Sequence, residues 1–129
     1  MARVRQAQYK AATELLALFE DQHLFSGYLI EPVGAVLVRA PFEMDIYASA
    51  RRTYPDAPAL TTLAGLQAAV PQLQDPQVLG NLIFSRYREI THWSSEHLDD
   101  PENRQWFIVA LRRLVALTQP GTAAQKREV

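Results

Sequence analysis

The chain predicts a mainly α fold: a small, single-domain helical bundle of about five helices carrying one short β-hairpin. Three observations lead there. Apolar residues recur at i, i+3, i+4 and i+7 over most of the sequence, the spacing of one helix face. Asp75-Pro76 and Asp100-Pro101 each precede such a run and combine a capping carboxylate with a proline suited to the first helical turn. Between residues 28 and 38 the composition turns β-rich around Pro32 and Gly34.

In chain order, residues 2 to about 24 read as the first helix. Val4, Ala7, Ala11, Leu15, Leu18 and Phe19 form its apolar stripe, and Gly27 follows as a stop. Tyr28-Leu-Ile and Ala35-Val-Leu-Val38, separated by Glu31-Pro-Val-Gly34, read as the two strands and turn of the hairpin. Two strands alone are marginal in water, so the hairpin is expected to lie on the helices or pair with a second copy. Ala40-Pro41 is expected to reopen a helix that carries Phe42, Ile46, Tyr47 and Ala50 inward and ends by Tyr54. Pro55-Asp-Ala-Pro58 is a loop, Thr61 or Thr62 caps a short helix through Leu63, Leu66 and Val70, and Pro71 ends it. Residues 76–95 form the organising helix. Residues 101–118 form the last, whose wide apolar arc predicts burial on more than one side. The globular part is assigned to residues 1–118, with 119–129 as a mobile C-terminal tail after Pro120-Gly121.

Composition narrows the function classes. With 129 residues, 48% hydrophobic and 21% charged content, the chain can bury a core as one domain. A net charge of −1 gives no electrostatic footprint for nucleic acid or an anionic membrane. No cysteine is present, which excludes disulfides, thiol catalysis and cysteine-held metal. Apolar runs are too short to span a bilayer, and the first residues lack the apolar block of a signal peptide, so the expected location is cytoplasmic. Of 13 basic residues only Lys10 and Lys126 are lysine, a bias expected of a bacterial genome.

One residue in the organising helix is out of place. Leu79, Leu82, Ile83, Ile90 and Trp93 share a stripe, and Arg86 falls in its middle, while Arg88 and His92 lie on the polar side. A guanidinium among apolar side chains cannot shed its charge and needs an acceptor. The bland reading is an internal ion pair with Glu43 or Asp45; the sharper one is an anion that binds from outside. Gly80 inside the same helix points to a close helix–helix crossing.

Other constellations are weaker. His92 and Glu96, four apart, with His97, Asp99 and Asp100 nearby, have ligand chemistry but no third ligand at a metal-site spacing. Ser94, Ser95, His97 and Asp99 have the residue types of a hydrolase triad without a nucleophile elbow. Arg86, Arg88, Arg112 and Arg113 with Tyr87, Trp93 and Trp106 mix cations and aromatics as interface hot spots do, among enough acids to weaken a nucleic-acid reading. Tyr54, Trp93 and Trp106 can line a pocket or simply fill the core.

The residues expected to bind are therefore Arg86, Tyr87, His92, Trp93, Trp106 and Arg112, with no catalytic or metal-ligating set and no cofactor. The expected function is a non-enzymatic protein-interaction domain, of the size of bacterial adaptor, immunity or antitoxin proteins. Its partner would be another protein or a second copy, as a homodimer. The alternative is a small-anion or nucleotide-binding protein, with catalysis as an option, centred on Arg86.

Overall fold

The computed structural model of the chain describes residues 2–21, 26–92 and 94–120. They form six α-helices and, among the described residues, no strand: α1 (Ala2–Glu20), α2 (Ser26–Arg39), α3 (Ala48–Thr53), α4 (Leu63–Ala69), α5 (Pro76–Thr91) and α6 (Pro101–Thr118). Short 3-10 turns cover Val70–Gln72 and Ser95–Asp99. Among the described residues no helix is long and apolar enough to cross a membrane.

Both Asp-Pro signatures start helices. Asp75 accepts from the Gln77 and Val78 amides, Asp100 accepts from the Glu102 amide, and each proline occupies the first turn. Thr62 caps α4 through the Gly65 amide. Helix α6 packs against α1, α4 and α5, so its wide apolar arc is used on several sides. Phe107 stacks on Phe19 of α1 at 4.6 Å, and Trp106 meets Phe107 edge-on at 5.0 Å. The buried face of α1 runs through Gln8, Ala11, Ala12, Leu15 and Phe19, while Val4 and Ala7 of the expected stripe are exposed.

The expected hairpin is a helix. Leu29, Val33, Val36 and Leu37 recur at helical spacing and are all buried, whereas Tyr28 and Val38, two of the residues that made the segment look like strand, point outward. Helical burial overrides weak β preference. Pro32 lies inside α2, where it removes one helical hydrogen bond. Gly34 keeps the helix surface low enough for the Tyr87 hydroxyl to reach in and donate to the Ile30 carbonyl at 2.7 Å.

The helix expected from Pro41 is also displaced. Residues 41–47 are irregular, and only 48–53 are helical. The reason is a polar ladder on α5: Gln77, Asn81 and Ser85, four residues apart, take over the backbone groups of the segment. Gln77 donates to the Pro41 carbonyl, the Glu43 amide donates to Asn81 Oδ1 at 2.7 Å, and the Asp45 amide donates to Ser85 Oγ at 3.1 Å. Phe42 is thereby pressed against Gly80, where any Cβ would overlap its ring. Gly80 thus admits an aromatic side chain rather than a second helix.

Helix α5 ends at Thr91 instead of residue 95. Ser94 accepts from the Glu96 amide and starts a 3-10 turn that buries Leu98. Residues 121–129, expected to be a mobile tail, lie outside the described residues, as does Trp93.

Candidate functional site

Of the six residues expected to bind, the five that are described do not converge. Tyr87 is a core residue turned toward α2. Arg112, on the surface of α6, pairs with Glu20 of α1 at 2.8 Å. His92 is exposed at the C-terminal end of α5. Trp93 lies outside the described residues. Among the described residues of the set, only Arg86 and Trp106 meet through their side chains, the guanidinium carbon 6.0 Å from the indole centre.

Arg86 is mostly buried, its side chain 16% exposed, as its place on the helix requires. Its partner is neither Glu43 nor Asp45 but Glu89, one turn along α5. Asp45 is occupied elsewhere: its carboxylate accepts from the Ser49 amide, from Ser85 Oγ and from Asn81 Nδ2. Burial pushes the Asp45 carboxyl up, but the hydrogen bonds from Ser49, Ser85 and Asn81 outweigh it and hold the group below the usual carboxylate range. Because α5 ends at Thr91, His92 and Glu96 no longer share a helix face, and among the described residues no cluster of three metal-ligating side chains forms.

Next to this region lies a groove of about 340 Å³ between α3, the loop after it and α5. Tyr47, Ala50, Tyr54, Pro58, Leu60 and Leu82 form most of its wall. Its polar atoms are largely committed. The Tyr54 hydroxyl accepts from the Gln74 and Asp75 amides, both at 3.1 Å, so Tyr54 shows the groove its ring. Arg51 at the rim donates to the Ile46 carbonyl at 3.0 Å. Leu60 turns its carbonyl away to accept from Trp106 Nε1 at 2.8 Å. Most of what remains is ring face and aliphatic carbon, suited to recognition rather than bond making.

Tyr47 separates the groove from Arg86. It forms one wall, while its hydroxyl lies buried close beside Arg86 and Glu89, near enough for both to act on it but without a well-formed hydrogen bond to either. Burial, with Glu89 adding to it and Arg86 opposing it, pushes this phenol up to about 12. Ile46 and Tyr47 both have left-handed backbone, φ 51° and 69°, a conformation that a β-branched residue rarely adopts. The sequence carries no glycine or asparagine there to announce it. The chain matches no protein family, no curated protein and no solved structure in the comparisons made.

Proposed function

We propose that this chain is a non-enzymatic protein-interaction domain that pairs with a second copy of itself through the outer face of α2. The observation that carries the reading is that α2 leaves large apolar side chains exposed on its outer face. Its inner face fills the core, yet Tyr28 is 70% and Val38 78% exposed, on the same outer face as the exposed Ala35. Glu31 and Arg39 lie on the same face, each four residues from Ala35. An antiparallel pairing of two α2 helices across Ala35 therefore sets Glu31 of each copy against Arg39 of the other, with a small residue at the closest approach. Among the described residues Arg39 pairs with Glu14 across 3.7 Å, both side chains being exposed, so re-pairing costs little.

Sedimentation velocity tests the proposal. The mass is expected to rise from 14.6 kDa toward twice that value between low micromolar and about 1 mM protein. Val38→Glu is expected to hold it at 14.6 kDa throughout. A wild-type chain that stays monomeric over the whole range contradicts self-pairing.

A second reading, small-anion binding at Arg86, has its own support. The guanidinium is mostly buried, and its carboxylate partner Glu89 is 49% exposed, so an incoming anion can take that partner's place.

A further inference from the structure

We infer that Tyr47 is a movable partition, and that turning it outward joins the groove to the Arg86–Trp106 pair to form a site for a planar aromatic anion. This deepens the anion reading of Arg86 and is independent of the α2 face.

Four observations meet at Tyr47. The groove supplies an apolar slot walled by Tyr54, Leu60 and Leu82, with room for a ring system. Leu82 is one helical turn before Arg86, and Leu60 accepts from the Trp106 indole, so the slot and the cation share two walls. Tyr47 touches both, its side chain lining the groove and its hydroxyl beside the guanidinium. Finally, the closed arrangement is unfavourable in two ways. A buried hydroxyl makes no well-formed hydrogen bond, only strained approaches to Arg86 and Glu89, and two consecutive residues sit in the left-handed region.

The strain is confined to this hinge because both flanks are fixed. Asp45 is tied to α5 through Ser85 and Asn81, and the Tyr47 carbonyl accepts from the Arg51 amide at the start of α3. Relaxing Ile46 and Tyr47 swings the tyrosine out without disturbing α5. Its hydroxyl then reaches water, and Arg86 faces the slot. A guanidinium presents a planar fork that fits a carboxylate or sulfonate, and the Trp106 ring lies against it. The ligand is therefore an aryl carboxylate or aryl sulfonate, its rings in the groove and its anion displacing Glu89.

The probe is 1-anilinonaphthalene-8-sulfonate, followed by its fluorescence, with N-phenyl-1-naphthylamine as the neutral ring analogue. Tyr47→Ala is expected to bind the sulfonate at least tenfold more tightly than wild type. Adding Arg86→Met is expected to remove that gain while leaving the neutral analogue's affinity unchanged. Tyr47→Phe keeps the ring and deletes the orphan hydroxyl. It favours the closed arrangement and is expected to bind the sulfonate several-fold more weakly than wild type. Equal or tighter binding by Tyr47→Phe overturns the proposal even where Tyr47→Ala does not fold. If Arg86→Met abolishes binding but neither tyrosine variant changes it, the partition is wrong and the anion reading stands. If sulfonate binding survives Arg86→Met, both fall.

Discussion

Asp45 is where a single side chain fixes the geometry of the candidate site. Its carboxyl is held below the usual range by Ser49, Ser85 and Asn81, so the unfolded chain binds its proton more readily than the folded one. The resulting stabilisation is present above the ordinary carboxylate pKa and is lost as the pH falls through the lower, folded value. Asp45→Asn is therefore expected to lower the melting temperature at pH 7, and the gap to wild type is expected to narrow in acid. A gap that is constant with pH would show that the charge of Asp45 does not hold the segment. The same scale shows what was legible at Arg86. Its burial follows from its place among Leu79, Leu82, Ile83 and Ile90, and its partner is Glu89, which helix geometry already brings within reach three residues on, rather than the distant Glu43 or Asp45. The orphan hydroxyl of Tyr47 was not legible, because nothing in the residue types at 46 and 47 announces a left-handed backbone.

Among the elements, those with chemical punctuation were readable. The starts of α5 and α6 follow from Asp-Pro, and that of α4 from Thr62, because a capping side chain acts within a few residues of itself. Segments shaped by distant partners were not. Residues 28–38 look like strand by composition, and only the spacing of Leu29, Val33, Val36 and Leu37 betrays the helix. Residues 41–47 are irregular because Gln77, Asn81 and Ser85 bond their backbone, a long-range substitution that no local pattern encodes. Gly80 belongs to the same arrangement. An alanine there gains about 1 kcal/mol of helix preference. Its methyl group would displace the buried Phe42 ring, however, and overpacking of this kind costs about 1–3 kcal/mol. Gly80→Ala is expected to be destabilised on balance in denaturant unfolding, and a variant more stable than wild type would mean that Phe42 does not depend on that gap.

For the whole molecule, the helices close around α5 and α6 and leave two features that the core does not absorb, the groove beside Tyr47 and the outer face of α2. A net charge of −1 means that two copies meet without strong repulsion, so local charge at the face decides the pairing. Antiparallel pairing across Ala35 is tested most directly by a charge exchange followed by sedimentation velocity. Glu31→Arg alone places like charges together at both ends of the contact and is expected to keep the chain at 14.6 kDa. Glu31→Arg with Arg39→Glu restores opposite charges in the reversed sense and is expected to recover the concentration-dependent doubling. A double variant that stays monomeric while the wild type pairs would contradict the α2 arrangement.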